Sequence, residues 1–192
     1  MSLTNETPRL LVFAGPNGSG KSTVTNGIPT IGHYINAAAI KRDSGCSDLE
    51  AAQEAEALRE HMLQFKKSFT FETVLSTPRN LNLIERAKQA GYEIFAVFVL
   101  TRDPNINVLR VKHRALMGGH DVPEDKIISR YTKSIANLPL LVRLADRTRI
   151  VDNSGEVPKL ICEVKNQSVS IYETDGWTQN EILVLLTMPN RS

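Results

Sequence analysis

Short apolar runs alternate along the first 150 or so residues with stretches in which apolar positions recur every three or four residues. The run Leu10-Leu11-Val12-Phe13-Ala14 is too short for a buried helix and shows no polar alternation, the pattern of a strand covered on both faces. The spacing predicts strands at about Arg9 to Ala14, Tyr34 to Asn36, Phe69 to Thr73, Tyr92 to Thr101 and Thr148 to Val151. Between them it predicts helices at about Lys21 to Gly27, Asp48 to Lys67, Pro78 to Ala90, Pro104 to Met117, Glu124 to Asn137 and Leu138 to Ala145. Several ends are marked by residue type: Ser47 or Asp48 can cap a helix, Pro78 suits a first turn, Gly91 suits a helix exit, and Asp103-Pro104 reads as a cap followed by proline.

This alternation is that of an α/β fold, a central mostly parallel sheet flanked by helices. After Ser154 the period weakens. Leu160 to Val164 and Val169 to Tyr172, joined by Lys165-Asn166-Gln167, are spaced to pair as a hairpin. The chain therefore divides into one domain over residues 1–154 and a C-terminal appendage over residues 155–192 packed on it.

Directly after the first strand stands Gly15-Pro16-Asn17-Gly18-Ser19-Gly20-Lys21-Ser22-Thr23, which fits G-x-x-x-x-G-K-[ST] in its strand-loop-helix setting. Gly18 and Gly20 let backbone approach phosphate, successive N–H groups form an anion cradle, and Lys21 adds a mobile cation. Ser22 is the candidate magnesium ligand. The expected ligands are ATP and Mg2+; the alternative is a glycine-rich turn with no ligand. The spelling also occurs in transporter-type ATPases, which need an LSGGQ-type signature and an acidic strand end followed by a catalytic glutamate. Leu116-Met117-Gly118-Gly119-His120 resembles that signature only superficially, and Asp103 before Pro104 is better read as a helix cap.

Composition narrows the partners. The formal charge of +2 arises from 23 basic and 21 acidic residues, so no broad basic surface for nucleic acid is expected. Two cysteines, Cys46 and Cys162, form neither a disulfide framework nor a zinc pattern. His33, His61 and His113 have no metal-ligand partners at diagnostic spacing. No membrane-length apolar stretch or signal-like start is present, so a cytoplasmic chain is expected. Trp177 in a polar tail is expected to pin the terminus, and residues 50–59 to form an amphipathic helix with a wet face.

Three further stretches carry a resemblance: Ile35-Asn36-Ala37-Ala38-Ala39-Ile40, Ser68-Phe69-Thr70-Phe71-Glu72-Thr73-Val74-Leu75-Ser76, and Arg110-Val111-Lys112-His113-Arg114 running on to Gly118-Gly119-His120-Asp121-Val122-Pro123. With the glycine-rich loop and Asp152-Asn153-Ser154, they make the chain resemble the zeta-toxin family of small ATP-dependent kinases over about Pro8 to Pro158. The resemblance implies a P-loop NTPase/kinase fold with a helical lid over about residues 110–137. It also implies transfer of the ATP γ-phosphoryl group to a hydroxyl of a small acceptor, a nucleotide sugar like UDP-N-acetylglucosamine in the best-studied zeta toxins, and often a protein antitoxin that blocks the ATP site. Asn36, Glu72, Thr73 and His120 would bind the acceptor. Arg110, Arg114 and Arg130 would neutralise the travelling group from the lid; a solvated charged face is the plainer reading of these arginines.

The second strand departs from the family pattern Asn-Ala-Asp-x-Ile, because Ala38 stands where the presumed base Asp is expected. Three explanations compete: an engineered inactive variant, a natural pseudoenzyme that binds nucleotide, or Asp43 serving as base from five residues on. Rival functions are a polynucleotide or nucleoside kinase and a nucleotide-dependent interaction module held by an antitoxin.

Overall fold

The structure, a computed structural model, describes residues 6–119, 121–172 and 174–187. Five strands, β1 (Arg9–Ala14), β2 (His33–Ile35), β3 (Phe69–Thr73), β4 (Glu93–Leu100) and β5 (Arg147–Asp152), pair in parallel in the order β2-β3-β1-β4-β5. Two more, β6 (Lys159–Lys165) and β7 (Ser168–Ile171), add an antiparallel hairpin beside β5, so the tail after Ser154 extends the sheet to seven strands. Asn166 and Gln167 in the turn both take positive φ.

The β1 run is apolar throughout because both faces of its strand are buried. Leu10, Val12 and Ala14 join the large core on one face, while Leu11 and Phe13 join a smaller one with Val97, Val99 and Val151 on the other. The large core takes in Ala55 and Leu63 from α3 (Asp48–Gln64), Leu81, Leu83, Ile84 and Ala87 from α4 (Pro78–Gln89), and Leu138 and Leu141 from α6 (Glu124–Leu144). The smaller core is covered by Val24 of the short α1 (Lys21–Thr25) with Ile28 and Ile31 beyond it. Helix α5 (Pro104–Leu116) and the start of α6 share a separate apolar cluster of Val108, Val111, Val122 and Ile127.

Three readings of the periodicity need correction. A helix over Ala37–Ser44, α2, follows β2 directly, with Asn36 as its N-cap rather than the last strand residue. The two helices expected on either side of Asn137 are one helix, α6, with Pro139 buried inside it. A last helix, α7 (Gln179–Leu186), opens on a capping box between Thr178 and Glu181 and buries Ile182. The marked caps hold: Ser47 and Glu50 form a capping box on α3, and the Asp103 carboxylate accepts from the Asn105 N–H at 2.8 Å. Trp177 packs against the large core, and Arg102 lies 5.1 Å from its ring centre while reaching Glu181 at 3.0 Å, which fastens α7 to the sheet end. Cys46 and Cys162 are free thiols. Among the described residues no helix is long and apolar enough to cross a membrane, and no cluster of His, Cys, Asp or Glu could hold a metal ion.

Candidate active site

The glycine-rich loop leaves the C-terminal end of β1 and turns into α1 at Lys21, the crevice where open α/β sheets place ligands. Two of its glycines are demanded by close neighbours. A Cβ on Gly15 would stand 2.1 Å from the Val99 carbonyl oxygen, and one on Gly18 would stand 2.5 Å from that of Asn107. The loop is braced from outside by two buried asparagines. Asn107 of α5 donates Nδ2–H to the Asn17 carbonyl at 2.6 Å and accepts from the Thr101 hydroxyl through Oδ1. Asn153, just after β5, donates Nδ2–H to the Ser19 carbonyl at 2.8 Å. The Lys21 ammonium folds back onto the loop, 2.8 Å from the Gly15 carbonyl oxygen and 3.1 Å from that of Pro16.

Beside the loop opens a cleft of 520 Å³. Asn17, Gly18, Gly20, Lys21, Ser22 and Thr23 form its floor; Asn36 and Ala38 line it at the start of α2, Glu72 and Thr73 at the end of β3, and Arg110 and Arg114 from α5. Pro16, Gly15 and Ser19 sit behind this floor in the same loop. Arg110 donates to the Asn153 carbonyl at 2.8 Å, so its guanidinium is held against the loop rather than in solvent. Arg130, half-buried on α6, does not line the cleft, and His120 lies outside the described residues.

Position 38 sits in the first turn of α2, where its N–H donates to Asn36 Oδ1 at 2.8 Å. Asp43 faces a different cavity, shared with His33, Tyr34 and Ile40, and pairs with Arg42 at 3.1 Å. The carboxylate that lines the cleft is Glu72. It accepts a hydrogen bond from Tyr34, whose hydroxyl oxygen in turn accepts from Asn36 Nδ2 at 3.0 Å. Thr73 has a second duty, since its hydroxyl accepts from the Leu75 N–H at 2.9 Å and from Asn80 Nδ2 at 2.8 Å. Those bonds hold Leu75 at φ 58°, a left-handed turn that carries the chain into α4.

Burial sets the electrostatics. It pushes the Lys21 ammonium down to about 8, with Glu72 opposing the shift and Arg114 adding to it. Burial likewise pushes the Tyr34 phenol up to about 12. Sequence reasoning passed over Tyr34, Asn80 and Asn107. Only Asn107 left a trace, as a polar residue on the apolar face shared by Val108 and Val111.

The fold and loop define a P-loop kinase fold, and comparison with known proteins names the family. The family described as Zeta toxin matches residues 26–176, and the chain belongs to it. That match begins after the glycine-rich loop, which stands at Gly15 to Thr23. An uncharacterized protein of Haemophilus influenzae is 26% identical over 129 residues, 64% of this chain and 92% of its own length. Among solved structures, the AvrRxo1-ORF1:AvrRxo1-ORF2 complex with sulphate ions superposes at a TM-score of 0.70 with 14% identity over 97% of this chain, and has also been solved with ATP. This chain spans 65% of the length of that protein. The PezAT chromosomal toxin-antitoxin system of Streptococcus pneumoniae superposes at 0.52 with 16% identity, over 94% of this chain and 84% of that one.

Proposed function

We propose that the protein is an ATP-dependent phosphotransferase that passes the γ-phosphoryl group to a hydroxyl of a small acceptor, a nucleotide sugar of the UDP-N-acetylglucosamine type. The observation that carries this reading is the single cleft lined by Lys21, Ser22, Glu72, Arg110 and Arg114. Phosphoryl transfer asks chiefly for positioning and for neutralisation of charge on the travelling group. The loop N–H groups and Lys21 hold the β and γ phosphates, which requires the ammonium to leave the Gly15 and Pro16 carbonyls. Arg110 and Arg114, one helical turn apart, face the γ end. Glu72, with Asn36 and Thr73 beside it, accepts from hydroxyls of the acceptor in place of Tyr34. Arg130, half-buried on α6 outside the cleft, completes the lid only if the α5–α6 pair closes further.

The donor set suits magnesium, which keeps several waters and binds through few protein oxygens together with phosphate. Ser22 would hold it in the cleft, where the ion supplies further charge neutralisation.

Ala38 offers no oxygen to receive the acceptor's proton, which should cost about 100-fold to 10,000-fold in rate. Asp43, turned to another cavity, is poorly placed to substitute. A protein antitoxin that covers the cleft is the proposed partner, supported by the toxin-antitoxin system among the structural relatives.

The test compares this chain with its Ala38→Asp form, using labelled ATP against nucleotide sugars, nucleosides and RNA ends. Transfer to one nucleotide sugar, raised in Ala38→Asp, is the expected result. Two forms that both bind ATP and label nothing would remove the catalytic reading.

A further inference from the structure

Helix α3 reads as a helix with a wet polar face, yet Arg59 on it is only 9% exposed. Its guanidinium lies 5.4 Å from the centre of the Phe71 ring and makes no hydrogen bond to any described residue. Its nitrogens are not sealed in the core, and the residue lines open space where an anion can reach it. Burial pulls its proton affinity below the ordinary arginine value, opposed by Glu56 and Glu60 and assisted by Arg79.

Those two carboxylates are already engaged. Glu56 pairs with Arg79 at 3.1 Å, and Glu60 takes both terminal nitrogens of Arg86, at 2.9 and 2.6 Å. Three arginines therefore face two carboxylates around this cavity, and Arg59 is the cation left over.

Arg59 also lines a neighbouring cavity of 480 Å³, in which Ala37, Ala52 and Ala55 leave room that larger side chains would fill. Its remaining wall is the start of α4: Thr77, Pro78, Arg79 and Asn80. Thr77 is the N-cap of that twelve-residue helix and makes no side-chain cap. First-turn amides without a cap and the positive end of the helix dipole attract an anion. The orphan guanidinium and the uncapped helix start belong to different elements and converge on one space.

We propose that this cavity is an oxyanion site that takes the phosphate of a phosphorylated acceptor, held between the Arg59 guanidinium and the first turn of α4. The assignment to the acceptor rests on the kinase reading above; the anion site itself does not. Its place supports the link. Ala37 borders both this cavity and the nucleotide cleft, and Asn80 in its wall donates to Thr73, which lines the cleft. An acceptor anchored here by phosphate extends past Ala37 toward Glu72 and Lys21, with its hydroxyl toward the nucleotide. Planar arginine suits this task, because its fork reaches two phosphate oxygens at once.

The first test titrates inorganic phosphate by calorimetry into the protein saturated with magnesium and a non-hydrolysable ATP analogue, which keeps the glycine-rich loop filled. One phosphate is expected to bind. Arg59→Gln should weaken it at least tenfold, and Thr77→Asp should do the same by placing its own carboxylate on the helix amides. Thr77 is exposed and aspartate is a good cap, so this variant keeps the question open to decision even where the Arg59 change prevents folding. Absence of phosphate binding, or binding unchanged in a folded variant, overturns the site. The second test, in the Ala38→Asp background, measures the acceptor KM, expected to rise at least tenfold in Thr77→Asp with kcat and the ATP KM little moved. Phosphate binding lost while acceptor KM stays fixed overturns the assignment to the acceptor. If no acceptor is phosphorylated at all, the kinase reading fails and takes that assignment with it, while the calorimetry still decides the anion site.

Discussion

Tyr34 donates its phenolic hydrogen to Glu72 across the β2–β3 pair. Tyr34 is in register with Thr70, so Glu72 is its diagonal neighbour one step along the same face. Asn36, two residues further along the chain, closes the group by donating to the tyrosine oxygen. The carboxylate is thus held by a neutral donor, and an acceptor hydroxyl can take that donor's place without stranding a charge. Glu72→Gln should lower kcat/KM for the acceptor about 10- to 100-fold, the worth of a hydrogen bond to a charged group, with ATP affinity unchanged. Tyr34→Phe should cost less than about tenfold. Steady-state kinetics in the Ala38→Asp background separates the two; equal and small effects would remove Glu72 from the acceptor site.

Lys21 supplies a pH dependence with a definite sign. Its folded pKa of about 8 is depressed, and phosphates seated in the loop favour the charged form. Affinity for an ATP analogue should therefore fall as pH rises above 8, approaching about tenfold per pH unit while the bound form keeps its proton. Stability of the nucleotide-free protein moves the other way. An unfolded lysine holds its proton to about 10.5, so between 8 and 10.5 the unfolded chain binds more protons and this group's penalty fades as pH rises. Fluorescence titration across pH 7 to 9.5 checks the first claim, and Lys21→Met should bind about 10- to 100-fold more weakly with no inflection near 8.

What the chain made legible was local. The β1 run, the glycine-rich loop and the Asp103-Pro104 cap each lie within a few consecutive residues, where spacing and residue type carry the signal. Helix α2 escaped because its N-cap, Asn36, follows the last strand residue, Ile35, directly, leaving no punctuation between strand and helix. Helix α6 was divided between Asn137 and Leu138, beside a proline, Pro139, that the fold accepts in a buried helix interior. The Thr178 to Glu181 box was a readable sign of α7. The site's supports were less accessible, because Tyr34 and Glu72 are 38 residues apart and Asn107 and Asn17 are 90 apart. Arg59 fits an exposed helix position by type and reveals its burial only once α4 packs beside α3.

Asn107 should prove structural and functional together. Removing its side chain strands the Asn17 carbonyl and takes one partner from the Thr101 hydroxyl. Asn107→Ala is expected to destabilise the fold by about 1–3 kcal/mol, as for a buried group left unsatisfied. It should also weaken nucleotide binding severalfold, because Asn17 forms part of the cleft floor. Thermal unfolding and nucleotide titration on one preparation test both effects. Lost stability with full nucleotide affinity would confine Asn107 to the core.

Gly20 and Asn153 provide the sharpest test of how the loop is held. Gly20 sits at φ 79°, ψ 33°, and a Cβ there would stand 2.1 Å from Asn153 Nδ2. Gly20→Ala therefore meets two penalties, a left-handed backbone costing roughly 1–2 kcal/mol and a collision with the side chain that braces Ser19. Nucleotide affinity should fall more than about 100-fold in Gly20→Ala, and by less than about tenfold in Asn153→Ala, where only one neutral hydrogen bond is lost. The double variant should bind better than Gly20→Ala alone, since deleting the asparagine removes the collision. It should still fall about 5- to 30-fold short of Asn153→Ala, because the backbone strain remains. A double variant as weak as Gly20→Ala would assign the whole penalty to the backbone and leave Asn153 no part in excluding a side chain at position 20.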